Sequence, residues 1–371
     1  VSESIIATLL VFMKNNILLV LLSLFFSFGL MADDSTDDST KEETKDESRE
    51  ESKKDDRELI SEFVEEFITY EGLLKSYQDP ENGNTYLELS DEDISKEFIY
   101  FAHIINGTVE AGLFKGSHID QAVIKFEKQF NSLNLVRVNT EYYFDPDSEL
   151  SRQSQSNISD SVIENFEITH KNEDENTYLI DITKLLKSDN LTKLKSEPRD
   201  YESDSFGVGS LSRSKTAISK IYNYPNNTDF EVDYVFSNPA SYESLRNTSV
   251  KLRYTFLEMP QDNGFEIRFE DPRIGYFTDR VTDLSSTEIT PYRDLVQKWN
   301  LQKQNPESAK SKPIKPIKFW LENTTPNELR PLIKKAVLAW NIAFEKAGFI
   351  DAIEVDVQPD DADWDAGDIR Y

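Results

Sequence analysis

Pro316-Ile317-Lys318-Phe319-Trp320-Leu321 alternates apolar and polar side chains with the period of a strand, and the residues after it read in turn as helix, strand and acidic loop. The helix signal begins with Thr325 as N-cap, Pro326 at the first helical position and Glu328 three residues after the cap. That arrangement satisfies backbone N–H groups that a first turn leaves without partners. Leu329, Leu332, Ile333, Ala336, Val337, Trp340, Phe344 and Ala347 then recur at helical spacing, so one face is continuously apolar and must pack on something. Pro331 lacks an N–H inside this run and either kinks the first turns or marks the true start. Gly348 supplies the stop. The apolar run Ile353–Val357 precedes the acidic loop, and Asp368-Ile369-Arg370-Tyr371 is predicted as a further strand, giving a strand, helix, strand, strand order.

Working outward from this tail, residues 302–315 are rich in Lys, Ser, Asn and Pro and read as the linker into it. Leu59, Ile60, Phe63, Val64, Phe67 and Ile68 keep helical spacing, and Asp79-Pro80-Glu81-Asn82-Gly83-Asn84 is a turn before a strand at 85–89. β-branched and aromatic content returns at 97–105, 121–126, 133–139 and 141–144, which closes a first β-rich module at 58–147. A polar loop at 148–161 opens a second β-rich module and linker, 148–312, with strands predicted at 162–169, 177–182, 230–236, 250–258 and 265–269. The expected fold class is α+β, mostly antiparallel β modules followed by an α/β unit at 313–371.

The N-terminus carries a different signal. Met13-Lys14-Asn15-Asn16 forms a short positive stretch, residues 17–30 are apolar without charge, and Ala32 can end a signal peptide, assigned to 1–32 with Met13 as an alternative start. An uncleaved anchor is the alternative, though the apolar run is short for a span that needs about 20 residues. Residues 33–57 are almost wholly Asp, Glu, Ser, Thr, Lys and Arg and read as an acidic disordered tether, because they cannot bury enough apolar surface to offset ordering entropy. A formal net charge of −28 argues against nucleic acid as a partner, since phosphate contacts need a positive surface. The 371 residues include no cysteine, which rules out disulfides and thiolate ligands and fits an exported protein of the periplasm or the extracellular space.

Little else in the chain has the spacing of a chemical site. His103, His118 and His170 are the three histidines, and no two stand four residues apart as a helical zinc pair does. Phe206-Gly207-Val208-Gly209 lacks the further glycines or the Gly-Lys-Ser/Thr of a phosphate loop and reads as a turn. Asp360, Asp361, Asp363, Asp365 and Asp368 are spaced like calcium-loop oxygens, but Ala366 stands where such a loop needs glycine. The Asp360 to Asp368 stretch is therefore read as a solvated turn, with calcium not expected.

The tail resembles a known family. Pro316-Ile317-Lys318-Phe319-Trp320-Leu321-Glu322-Asn323-Thr324, then Ala339-Trp340-Asn341-x-Ala343-Phe344-Glu345-x-Ala347-Gly348-Phe349, then Asp360-Asp361-Ala362-Asp363-Trp364-Asp365-x-Gly367-Asp368-Ile369-Arg370-Tyr371 is similar to the start of the Met-zincin domain of bacterial zinc-dependent metalloproteases. Upstream, Leu211-Ser212-Arg213-Ser214, Tyr224-Pro225-x-Asn227 and Asp271-Pro272-Arg273-Ile274-Gly275-Tyr276-Phe277 are similar to the domains of unknown function that precede that peptidase domain. In the family a later helix carries His-Glu-x-x-His, followed by a third ligand and a methionine turn, and none of those positions exists here. The resemblance implies that this chain is the N-terminal part of an exported zinc metallopeptidase that acts on proteins or peptides through zinc-activated water. By itself the chain is expected to hold no catalytic zinc and to cleave nothing, so no catalytic, metal or cofactor residue is assigned. The alternative is a non-catalytic exported β-domain binding or scaffold protein.

Overall fold

The computed structural model describes residues 59–153, 158–172, 176–194, 207–240 and 246–371. The signal segment with Met13, the tether at 33–57 and Phe206 lie outside the described residues. All described residues belong to one unit, Asp56–Tyr371.

The first strands are β1 (Ile68–Tyr70), β2 (Ser76–Gln78), β3 (Thr85–Ser90), β4 (Glu97–Asn106), β5 (His118–Gln129), β6 (Ser132–Arg137), β7 (Tyr142–Tyr143), β8 (Ser161–Asn172) and β9 (Thr177–Asp181). They are followed by β10 (Ser210–Leu211), β11 (Ala217–Asn223), β12 (Asn227–Ser237), β13 (Asn247–Glu258), β14 (Thr278–Asp283), β15 (Tyr292–Val296), β16 (Ile317–Leu321) and β17 (Ile353–Val357). Twelve of them form one sheet in the order β1-β2-β3-β9-β8-β6-β5-β4-β13-β12-β10, with β11 also on β12. Every pairing in it is antiparallel. The boundary expected at residue 147 falls inside this sheet, because β4 pairs with β13, β6 with β8 and β3 with β9 across it. Antiparallel pairing places no limit on sequence separation, so turn signals along the chain do not mark where the sheet ends.

The sheet curls until its two ends meet. Across the seam the Leu73 N–H donates to Tyr224 O at 2.8 Å, and Asn223 Nδ2 donates to Tyr70 O at 2.8 Å and Leu74 O at 2.7 Å. The Leu74 N–H donates to Thr228 Oγ1 at 3.0 Å. An edge that would otherwise expose unpaired backbone groups is thereby satisfied. Strand alternation sends Phe98, Tyr100, Ile104, Phe230, Val232, Leu252, Tyr254 and Phe256 to the inside, where they are buried in one core. The short helix α1 (Ile60–Phe63) lies on the outside, with Ile60 and Val64 packed on Tyr77, Tyr86 and Leu179. The helix predicted over 59–68 is therefore a single turn, and Ile68 begins β1 instead. A second short helix, α2 (Thr183–Leu186), and the residues after it enter the core through Leu185, Leu186, Leu191 and Leu194. Their polar groups are satisfied there: Tyr234 OH donates to Leu186 O at 2.6 Å and contacts Tyr254 OH at 2.6 Å, and Tyr100 OH meets Thr192 Oγ1.

Two smaller sheets complete the unit. β14 pairs antiparallel with β15 and parallel with β7. The strand predicted at 265–269 is not one, since only Phe269 forms a bridge, to Leu295, and Phe265, Ile267 and Phe269 are exposed. β16 pairs in parallel with β17, in register from Ile317 opposite Ile353 to Leu321 opposite Val357. Between them run α3 (Arg330–Leu338) and α4 (Asn341–Lys346), so the two strands take the predicted places while the single helix predicted between them is two. Pro331 marks the true helix start at the first turn of α3, and Thr325 makes no cap. Gly348 ends α4 with φ +96°, the left-handed backbone that suits glycine. Ile333, Val337 and Phe344 pack on Ile317, Leu321, Ile353 and Val355. Leu329, Leu332 and Trp340 of the same predicted face remain exposed, at 46%, 66% and 61%. Residues 368–371 are a turn rather than a strand, closed by Tyr371 N–H on Asp368 O. With two strands in this sheet, the observed fold is mostly antiparallel β with few helices, as an α+β class requires.

Candidate functional site

The outward positions of three neighbouring strands carry charge where an exposed sheet face would be solvated. β12 presents Asp229, Glu231 and Asp233 outside while Phe230, Val232 and Tyr234 face in, and the register sets Glu231 opposite Arg253 and Asp233 opposite Lys251 of β13. His103 of β4 lies opposite Arg253 on the other side. Arg253 and Glu231 are each only 2% exposed and His103 5%, because the 363–371 turn closes over them.

Arg253 is gripped from two sides. Its Nε donates to Glu231 Oε1 at 3.2 Å, and its two terminal nitrogens donate to Asp365 Oδ1 at 3.0 Å and Oδ2 at 2.7 Å. Such a parallel fork is the strong geometry for arginine and carboxylate. Burial raises the Asp365 carboxyl, but hydrogen bonds from Arg253 and from the Gly367 N–H outweigh it and leave the group below the usual carboxylate range. Next to it, burial pushes the Asp229 carboxyl up, only partly offset by its hydrogen bond from Asn227. A cleft with room for about 10 Å³, the scale of one water, lies between Tyr222, Tyr224, Asp229, Arg253 and the turn.

Aromatic and cationic contacts hold the remainder of the turn. Arg370 sits over the Tyr224 ring at 3.5 Å and pairs with Asp368 at 2.6 Å, and Trp364 stacks on Tyr371 at 4.3 Å. Gln358 Nε2 donates to Trp364 O at 2.7 Å, and Lys115 pairs with Glu322 of the tail unit.

His103 is the one sequence-singled histidine at this site. Neither of its ring nitrogens has a hydrogen-bond partner among the described residues. Burial pushes its imidazole down to about 4, with the Arg253 charge acting in the same direction. The Phe101 ring lies between it and His118, each pair 5.2 Å apart, while His170 stacks on Phe63 at 4.0 Å. The acidic loop divides: Asp360, Asp361 and Asp363 are exposed, whereas Asp365 and Asp368 turn in to arginines. Among the described residues no group of three or more His, Cys, Asp or Glu could hold a metal ion, and no helix is long and apolar enough to cross a membrane. The Asp271 to Phe277 corner stands elsewhere, Arg273 paired with Asp271, beside a cleft of about 670 Å³ next to β14 and β15.

Arg253, Glu231 and Asp229 carry this site, yet histidine and glycine spacing do not lead to them. The signal that could is the alternation itself: acids at 229, 231 and 233 in one apolar strand and bases at 251 and 253 in another. Chemically the site is a pre-set guanidinium fork, backed by a buried carboxylate, that holds a second carboxylate.

The family described as Domain of unknown function (DUF5117) matches residues 116–304, which takes in Asp229, Glu231 and Arg253 but neither His103 nor Asp365. No curated protein and no solved structure matches this chain. With just over half of its 371 residues in the match, the chain belongs to the DUF5117 family.

Proposed function

We propose that this chain is the N-terminal part of an exported zinc-dependent metallopeptidase, in which the curled sheet is a platform and residues 313–371 begin a zincin-like catalytic domain. The observation that carries the reading is the tail itself: β16, α3, α4 and β17 form a parallel crossover unit from the residues that resemble the peptidase family. Two features add support. The turn at 363–371 is fastened to the platform through Arg253, which fixes the orientation of whatever is built on β16 and β17. Leu332, Trp340 and Ile342 leave an apolar helix face uncovered, suited to packing further chain of the same domain.

The described residues do not form a zinc site, so no catalytic step is assigned to them. In this reading the metal ligands and the general base follow Tyr371, and the role of this chain's own residues is to position that domain for protein or peptide substrates. The test is the complete gene product assayed on casein, with zinc content measured in parallel. Hydrolysis abolished by a chelator and restored by zinc is the expected result; a well-folded, zinc-free product without hydrolysis would overturn it. That outcome would favour a non-catalytic scaffold, for which exposed Ile267, Phe277, Ile289 and Trp299 around β14 and β15 offer a binding surface.

A further inference from the structure

We propose that His103 is a proton-sensitive latch: protonating its buried imidazole releases the 363–371 turn from the outer face of the sheet while leaving the sheet intact. Three geometric facts support it. The imidazole is almost fully enclosed with both nitrogens unpartnered among the described residues. Its cover is the turn itself: a Cβ built on Gly367 would stand 2.2 Å from His103 Nε2 and 3.1 Å from Arg253 Nη1, so the closed turn leaves no room for a solvating molecule there. The groups facing the ring are two from neighbouring strands, Arg253 and His118, and one from the turn, Asp365. Asp365 is already committed to the Arg253 fork, and Arg253 is a fixed like charge.

An imidazolium created in this position has no acceptor within hydrogen-bond distance among the described residues and a guanidinium alongside, so it needs water, and the side on which water can enter is the one the turn covers. Opening is local. The ladder bonds of β4, β12 and β13 do not involve the turn, and its docking depends on the fork, the Arg370 to Tyr224 contact and the packing over His103. Protons therefore bind preferentially to the open form. If the exposed ring titrates near about 6.5 and the covered one near about 4, linkage raises the open population by up to about thirtyfold between pH 7.5 and pH 5.

Hydrogen exchange followed by mass spectrometry on the full chain tests this, comparing parent with His103→Leu and His103→Asn at matched pH so that intrinsic exchange rates cancel. The expected result is that opening of 363–371, corrected for intrinsic rate, rises by up to about thirtyfold toward pH 5 in the parent and stays level in both variants. Over the same range, amides in β12 and β13 keep their protection in all three proteins. The same rise in parent and variants would overturn the proposal, as would loss of β12 and β13 protection together with the turn. If His103→Leu does not fold by circular dichroism, the Asn variant, which keeps a polar side chain of smaller size, supplies the comparison.

Discussion

Replacing Arg253 by Met puts a number on the buried cluster. The substitution removes the guanidinium but keeps most of its length, so the lost quantity is the pairing of Glu231, which is 2% exposed, and of Asp365, whose side chain is 43% exposed. Stranding the enclosed Glu231 carboxylate costs about 3–5 kcal/mol, with the low end expected because Lys251 Nζ stays 3.9 Å from its other oxygen. Asp365 can reach water once released, so its share is about 1 kcal/mol at most. Urea titration should register a loss of about 3–4 kcal/mol in all. In a thermal melt, with an unfolding entropy of about 2 cal/mol/K per residue over some 300 residues, the midpoint falls by about 5–7 °C. A cycle separates the charge from the packing. Arg253→Met combined with Glu231→Met leaves no stranded carboxylate and should recover most of that stability, while Asp365→Asn alone costs only about 1 kcal/mol. An Arg253→Met protein within 1 kcal/mol of the parent, or a double variant no better than the single, would refute the claim that an enclosed ion pair governs this face.

Three further outcomes are expected. The His103 imidazole is depressed to about 4 in the folded protein, so its contribution is whole above the ordinary value near 6.5 and drains away as pH falls toward 4; His103→Leu should remove up to about 3 kcal/mol of the stability difference between pH 7.5 and pH 4.5 in urea titrations. Gly367→Ala forces a methyl against His103, Ile105 and Arg253 without changing any charge, and should weaken docking of the turn by about 1–3 kcal/mol, seen as faster exchange at 363–371 with β12 and β13 unaffected. Phe230→Ala opens a cavity in the centre of the curled sheet and should cost about 3–5 kcal/mol in global unfolding, leaving the parallel pair β16 and β17 intact in any state where the tail unit survives.

Local patterns in the sequence carried over wherever a short-range rule was enough. The alternation at 177–182, 230–236 and 250–258 identified β9, β12 and β13 because a pleated strand must separate its apolar side chains from its polar ones. Gly348 and Pro331 set the ends of the helical stretch, since each constrains its own backbone regardless of surroundings. Errors arose where a local preference met a tertiary one. Thr325 and Glu328 have the right spacing for a cap, yet the helix begins at Arg330, whose side chain instead donates to Thr325 O and Asn323 O. Phe265, Ile267 and Phe269 have strand composition but no partner strand over most of their length, and a strand without a ladder does not form.

What residue order decided by itself is therefore the identity of strands such as β9, β12, β13, β16 and β17, the helical stretch of the tail and the acids and bases alternating along β12 and β13. Which strands lie side by side, that the sheet curls to a seam at Leu73 and Asn223, and that Asp365 descends on Arg253 were decided only in three dimensions. The physical reason is range: side-chain period and backbone restriction act within a few residues, whereas burying Glu231, His103 and Arg253 requires a segment more than a hundred positions away to shut out the solvent.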